Sequence, residues 1–86
     1  MIQFEVIIKA EGGLHARPAA LLVNCVAQSQ SKVFLIRKQD QKRVDARSIL
    51  GIMTLGTVQG DQLLIEIDGP DEAQVSEAIR ELFEES

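Results

Sequence analysis

In the stretch Gly12-Gly13-Leu14-His15-Ala16-Arg17-Pro18-Ala19-Ala20, two glycines precede the only histidine of the chain and a proline follows it. The glycines allow the backbone to turn sharply after an apolar run. Proline is tolerated in the first turn of a helix, where its missing N–H costs no hydrogen bond. The pattern therefore predicts that the chain leaves a strand here and starts a helix just after His15.

The predicted position of His15 favours phosphate chemistry. Unpaired backbone N–H groups and the positive end of the helix dipole attract anions, and Arg17 adds a permanent positive charge. A neutral imidazole keeps one lone pair, so it can attack phosphorus without losing a proton first. We therefore interpret His15 as a phosphate acceptor, although a lone histidine is more often a surface or capping residue.

Hydrophobic periodicity predicts the elements on both sides of this stretch. Alternation with a period of two indicates strands, and apolar residues three and four apart indicate helices. The strands predicted in this way cover residues 2–8, 32–37, 43–45 and 63–67. The first helix starts just after His15 and ends near residues 28–30, the second covers 49–53, and the last follows position 71 and reaches residue 84. The order βαββαβα is typical of an α+β open-faced sandwich, in which helices cover one side of a four-stranded sheet.

The sequence also predicts the surroundings of two single residues, Asp71 and Cys25. Asp71 lies where it would cap the final helix. Cys25 is the only cysteine, so no disulfide can form within the chain, and its apolar neighbours predict a buried, reduced thiol. A metal site is not expected, because no second cysteine or histidine is available as a ligand.

Length and charge limit the possible partners. The chain has 86 residues and a net charge of −4, which favours one small domain and disfavours nucleic acid and anionic membranes as partners. No leader pattern and no apolar run of membrane-spanning length is seen, so we expect a cytoplasmic protein. The basic residues are concentrated in 37–47 and the acidic residues in 61–86, a polarity that suits docking to proteins.

Two motifs resemble those of one known family. The first is Gly13-Leu14-His15-Ala16-Arg17-Pro18-Ala19, and the second is Ala46-Arg47-Ser48-Ile49-Leu50-Gly51-Ile52-Met53-Thr54-Leu55-Gly56. Together they resemble the active-site and regulatory-serine segments of HPr, the histidine phosphocarrier of the phosphoenolpyruvate-dependent sugar phosphotransferase system. The resemblance covers the whole chain and implies one HPr-like domain over residues 1–86, with an antiparallel sheet and all three helices on one face.

The resemblance also implies roles for individual residues. His15 would accept a phosphoryl group on Nδ1 from phospho-enzyme I and pass it to a IIA domain, with Arg17 as its charge partner. The backbone N–H groups of Ala16 and Arg17 would bind the phosphate oxygens. Such a protein is a carrier that needs no cofactor, and it is not a turnover enzyme.

The second motif has two interpretations. By resemblance, Ser48 would be phosphorylated by an HPr kinase/phosphorylase, but serine is also a common helix N-cap. The resemblance likewise implies that Ile49, Leu50 and Met53 form an apolar docking patch for enzyme I and IIA domains, whereas core packing is the alternative that we assign to Ile52.

Other functions remain open from the sequence. Within the same class, the partners could belong to a nitrogen-related branch or to dihydroxyacetone kinase. A different class is a regulatory module that binds a transcription regulator and is controlled at Ser48, and the simplest alternative is a structural α+β domain. The absence of heptads and of a long edge-strand pattern predicts a monomer.

Overall fold

The computed structural model describes residues 1–85, which form four strands and three helices in the predicted order βαββαβα. The strands are β1 (Ile2–Ile7), β2 (Lys32–Arg37), β3 (Lys42–Asp45) and β4 (Gln62–Asp68). The helices are α1 (Ala16–Ala27), α2 (Ile49–Thr54) and α3 (Glu72–Glu85). Each predicted element is therefore present. The bounds of β2 are as predicted, α1 ends one to three residues earlier than predicted, and every other end differs by at most one residue.

The strands form one antiparallel sheet in the order β1-β4-β2-β3. Its two inner strands are β4 and β2. Ile65 of β4 lies opposite Phe4 of β1 on one side and Leu35 of β2 on the other. The register follows the alternation in sequence, because a shift by one residue would turn every apolar side chain away from the core.

All three helices cover one face of this sheet, so the predicted open-faced sandwich is confirmed. The core between the two layers is mainly aliphatic, and its members include Phe4, Val33, Leu35, Leu63, Ile65 and Ile67 from the strands and Ala19, Leu22, Val26, Ile52, Val75, Ile79 and Phe83 from the helices. Burying aliphatic surface in this way is the main stabilising contribution in a chain of this size. Ala16, the first residue of α1, is exposed, because the apolar stripe of this helix reaches the core only from Ala19 onward.

The opposite face of the sheet is held by pairs across neighbouring strands. Arg43 of β3 lies 4.2 Å above the centre of the Phe34 ring and forms an ion pair of 3.4 Å with Glu66 of β4. Gln3 of β1 donates a hydrogen bond of 2.8 Å to Glu66 from the other side. Contacts of this kind stabilise a sheet face that no helix covers.

Two predicted side-chain environments need correction. Cys25 is half-buried rather than fully buried, although burial still raises the pKa of its thiol. Asp71 directly precedes α3, as predicted for a cap, but its carboxylate accepts hydrogen bonds from Ser31 Oγ at 2.5 Å and from the N–H of Gln30 at 2.9 Å. These bonds lower the pKa of Asp71 and attach the start of α3 to the segment before β2.

Candidate functional site

The site begins in the loop between β1 and α1, where the backbone makes the sharp turn expected from the glycine pair. Gly12 and Gly13 both have positive φ angles, +82° and +71°. A Cβ atom on Gly13 would lie only 2.0 Å from the carbonyl oxygen of Thr57, so the loop can pack here only with glycine. The turn therefore fixes the direction in which the chain enters α1.

A second loop, between α2 and β4, packs against this turn and forms hydrogen bonds with it. The N–H of Leu14 donates a hydrogen bond of 3.0 Å to Thr57 Oγ1, and both residues are buried. The N–H of Gly60 donates to the Ile8 carbonyl at 2.8 Å, and the N–H of Ile8 donates to the Asp61 carbonyl at 2.9 Å. The contact between Leu14 and Thr57 was not predicted, because it joins residues 43 positions apart along the chain.

His15 occupies the N-cap position of α1 and is exposed. Its backbone is extended, with φ −78° and ψ −169°, and its imidazole makes no capping hydrogen bond. Since a capping side chain would be occupied by the helix N–H groups, an imidazole outside this role keeps its nitrogens available to a partner.

The first turn of α1 leaves donors for an anion. Within residues 1–85, the backbone N–H groups of Ala16 and Arg17 have no hydrogen-bond acceptor, whereas the N–H of Ala19 donates to the His15 carbonyl at 3.0 Å. Pro18 contributes no N–H, and the turn contains no acidic residue that would neutralise the helix dipole. Two donors and a positive helix end thus lie next to the imidazole.

Arg17 brings a full positive charge to the same place. It is exposed, and in the described part of the chain no carboxylate lies within ion-pair distance of its guanidinium. Arg17 and His15 border a cleft of about 560 Å³ whose wall is largely apolar and includes Leu14, Pro18, Leu21, Leu22, Leu82 and Phe83. An uncompensated guanidinium in the same cleft as an imidazole is suited to bind a phosphoryl group and balance its charge.

The second motif lies on α2, which packs against α1. Ser48 is the N-cap of α2, and its Oγ accepts a hydrogen bond of 3.0 Å from the N–H of Gly51. The residue is exposed. The capping interpretation of Ser48 is therefore confirmed, and its modification stays a prediction.

The apolar residues of α2 divide as the sequence indicated. Ile52 is fully buried in the core, whereas Leu50 is 72% exposed and Ile49 and Met53 are 39% and 44% exposed. Three large apolar side chains on one short exposed helix form a patch of the kind found where proteins dock.

Arg47 precedes Ser48, but its guanidinium binds the loop between α1 and β2. Its Nη2 donates hydrogen bonds of 3.2 and 3.1 Å to the carbonyls of Ser29 and Ser31, after the end of α1. The guanidinium thus fixes the loop between α1 and β2, and this structural role was not predicted.

Among residues 1–85, no group of three or more His, Cys, Asp and Glu side chains is arranged to hold a metal ion. In the same range, no helix has the length and hydrophobicity needed to cross a membrane.

Fold and site together define a small open-faced sandwich that presents one histidine at the start of its first helix. The family model described as "PTS HPr component phosphorylation site" matches residues 2–85. The chain belongs to this family, the HPr phosphocarrier proteins.

Similar proteins support the assignment over nearly the full length. The phosphocarrier protein HPr of Treponema pallidum is 39% identical over 98% of this chain and 93% of its own. The HPr-like protein Crh of Bacillus subtilis is 36% identical over 99% of this chain and 98% of its own. Among solved structures, HPr-C-His from Thermoanaerobacter tengcongensis has a TM-score of 0.89 and 39% identity, and the alignment covers 98% of this chain and 92% of that one.

Proposed function

We propose that the chain carries a phosphoryl group on His15, which it accepts from phospho-enzyme I and passes to a IIA domain. In the first step an imidazole nitrogen of His15 forms a bond to phosphorus while the bond from phosphorus to the donor histidine breaks. The second step repeats this exchange, with His15 as the leaving group and a histidine of the IIA domain as the nucleophile. Each transfer uses no cofactor, and the carrier is regenerated.

The observation that carries this proposal is the exposed imidazole of His15, which makes no capping bond and lines the same cleft as Arg17. Phosphoryl transfer requires mainly that the reacting groups be positioned and the charge on the phosphoryl oxygens be stabilised. The free N–H groups of Ala16 and Arg17 supply two hydrogen bonds, and the Arg17 guanidinium supplies the countercharge.

The docking surface in this proposal is the exposed apolar patch of α2, formed by Ile49, Leu50 and Met53. A partner that covers these side chains gains apolar burial, and the packing of α2 against α1 keeps the patch on the helical layer that carries the site. Enzyme I and the IIA domain would use the patch in turn, because the phosphoryl group must reach His15 from one partner and leave to another.

Labelling with phosphoenolpyruvate tests the proposal. The chain is incubated with enzyme I, magnesium and phosphoenolpyruvate, and intact mass is measured for the wild type, His15→Ala and Arg17→Ala. We expect one acid-labile phosphate on the wild type, none on His15→Ala, and at least about 10-fold slower labelling of Arg17→Ala, since removing one stabilising group commonly costs that much or more. Equal labelling of His15→Ala, or no labelling by enzymes I from several sources, would refute the carrier role.

The protein that accepts the phosphoryl group from His15 defines the branch of the phosphotransferase system to which the chain belongs. Phosphorylated wild-type protein is mixed with a panel of IIA domains of sugar-specific and nitrogen-related type and with the dihydroxyacetone kinase component. Transfer to a sugar-specific IIA domain alone would support the assignment made above, whereas transfer only to one of the other acceptors would place the chain in that branch.

A second candidate function is regulation through Ser48, which is exposed at the start of the helix that bears the apolar patch. A phosphate there would set a dianion beside Ile49 and Leu50 and repel acidic partners. Incubation with HPr kinase/phosphorylase and ATP should add one acid-stable phosphate to the wild type and none to Ser48→Ala. Binding of the modified protein, but not of the unmodified one, to a transcription regulator would support this role.

A further inference from the structure

We propose that Thr57 is a positioning residue that holds His15 in the geometry needed to accept the phosphoryl group, an inference that rests on the carrier function proposed above. Thr57 lies outside both sequence motifs, in the loop between α2 and β4. Its hydroxyl and its carbonyl both face the turn that precedes His15.

The hydroxyl fixes the peptide immediately before the histidine. Thr57 Oγ1 accepts the hydrogen bond from the N–H of Leu14 at 3.0 Å, and both residues are 7% exposed. Water therefore has little access to replace this acceptor, and a buried N–H that loses its partner is strongly unfavourable. The orientation of the Gly13–Leu14 peptide, and with it the direction of the next residue, depends on this bond.

The backbone carbonyl of Thr57 also restricts the position of this turn. The site that a Cβ atom of Gly13 would occupy lies 2.0 Å from the Thr57 oxygen and 2.6 Å from its carbonyl carbon, so the two backbones are in close contact. The turn cannot move toward Thr57 without a clash, and it cannot move away without breaking the bond to Leu14. Thr57 thus restricts movement of the turn both toward itself and away from itself.

His15 itself has no such restraint on its side chain, since its imidazole makes no capping hydrogen bond. Its placement beside the N–H groups of Ala16 and Arg17 is set by the backbone that Thr57 holds. In transfer reactions an error of about 1 Å in the position of the reacting group can reduce the rate about 100-fold. Loss of the Thr57 hydroxyl should therefore affect the transfer rate more than the stability of the distant parts of the fold.

The test compares Thr57→Val, which keeps the shape but removes the acceptor, with Thr57→Ser, which keeps the acceptor. Ser76→Ala is the matched control, because it removes a similarly buried hydroxyl on α3, where Ser76 Oγ donates to the Ala73 carbonyl at 2.8 Å. Single-turnover transfer from phospho-enzyme I is measured for all three. We expect Thr57→Val to be about 10-fold slower than the wild type and Thr57→Ser and Ser76→Ala to transfer at close to its rate.

Nuclear magnetic resonance gives a readout that is independent of enzyme I. Thr57→Val should speed hydrogen exchange at the Leu14 amide and shift the ring signals of His15, while Thr57→Ser should leave both close to those of the wild type. A wild type that is not labelled at all would refute the carrier function, and the ring signals would still decide the role of Thr57. Unchanged ring signals in Thr57→Val, wild-type transfer by that variant, or a Thr57→Ser variant as slow as Thr57→Val would overturn the inference.

Discussion

Gly13 contributes to the site by having no side chain. Its φ of +71° and its contact with the Thr57 carbonyl are two separate constraints, one on the conformation of the residue and one on the space around it. Gly60 has only the first, since its φ is +95° and nothing lies within 4 Å of the position that a Cβ atom would take. The two residues therefore allow the constraints to be measured separately.

We expect Gly60→Ala to lower the free energy of unfolding by about 1–2 kcal/mol, the usual difference for a residue with a side chain in the left-handed region. Gly13→Ala should lower it by more, because the two loops must also separate, and it should slow phosphoryl transfer. Urea unfolding of both variants, together with labelling by phosphoenolpyruvate, checks this. Equal losses of stability in the two variants would contradict the close contact at Gly13.

The ion pair between Arg37 and Asp40 should make the stability of the fold depend on pH. Nε and Nη2 of Arg37 donate hydrogen bonds of 3.0 and 2.6 Å to the carboxylate of Asp40, and these bonds lower its pKa from 3.8 to about 2. Because the pKa in the folded state is below that in the unfolded state, the pair stabilises the fold above about pH 4 and this contribution is lost as the pH falls through about 2.

The titration of Asp40 can be observed directly through its side-chain carboxyl carbon by nuclear magnetic resonance. We expect a midpoint near 2 in the wild type. In Asp40→Asn, acid unfolding should lack the portion that this group contributes between pH 3.8 and about 2. A midpoint at the ordinary 3.8 would show that the pair does not persist in solution.

At the scale of elements, α2 depends on its cap more than α1 and α3 do. With six residues it is too short to be stable alone, and its only buried side chain is Ile52. The bond from the N–H of Gly51 to Ser48 Oγ therefore contributes directly to keeping the apolar patch in a helical arrangement.

Two substitutions of Ser48 separate the loss of the helix cap from the effect of a negative charge at that position. Ser48→Ala should lower the free energy of unfolding by about 1 kcal/mol, because the cap is lost. Ser48→Asp keeps a good capping group and should retain most of that stability, while its negative charge next to the patch should slow transfer through His15. Thermal unfolding and single-turnover transfer measure the two effects, and equal stability of Ser48→Ala and the wild type would contradict the first.

The elements were predictable because each carries a local pattern. In β4, Leu63, Ile65 and Ile67 alternate with less buried residues, and the whole strand could be located from that alternation. The start of α1 was predictable for the same reason, since the turn and the proline are adjacent in sequence. The position of His15 follows from these local features, whereas the patch on α2 was expected from the resemblance to a known family.

Contacts between distant segments have no such pattern. The bond from Leu14 to Thr57 and the bonds from Asp71 to Gln30 and Ser31 join residues 40 to 43 positions apart in sequence. A hydroxyl or carboxylate has no periodicity in the sequence from which its partner could be predicted. For Asp71, the local rule predicted a helix cap, but a buried hydroxyl and a free N–H on the neighbouring segment competed for the carboxylate.

At the scale of the whole molecule, the two edges of the sheet determine how copies of the chain could associate. The edge strand β3 has only four residues, three of them charged, and the edge strand β1 exposes Gln3 and Glu5. Short and charged edges oppose pairing between sheets. Structures described as dimers are nevertheless known for HPr of Thermoanaerobacter tengcongensis and for Crh of Bacillus subtilis.

We expect this chain to be a monomer at micromolar concentration, because both edges are unfavourable for pairing. Sedimentation velocity across a dilution series checks this, with Ile7→Lys as a comparison, since Ile7 is the exposed apolar residue of β1. The prediction is wrong if the wild type sediments as a dimer. If Ile7→Lys then sediments as a monomer, the interface involves β1.

The face of the sheet that no helix covers offers a position for chemical attachment. Lys32 is exposed on this face, because its neighbour Val33 points into the core, and the thiol of Cys25 is half-buried with a raised pKa. A cysteine introduced at position 32 should therefore react with a maleimide before Cys25 does. A dye or a surface tether attached there leaves the helical layer free, so exchange of the phosphoryl group between partners could be followed on single immobilised molecules.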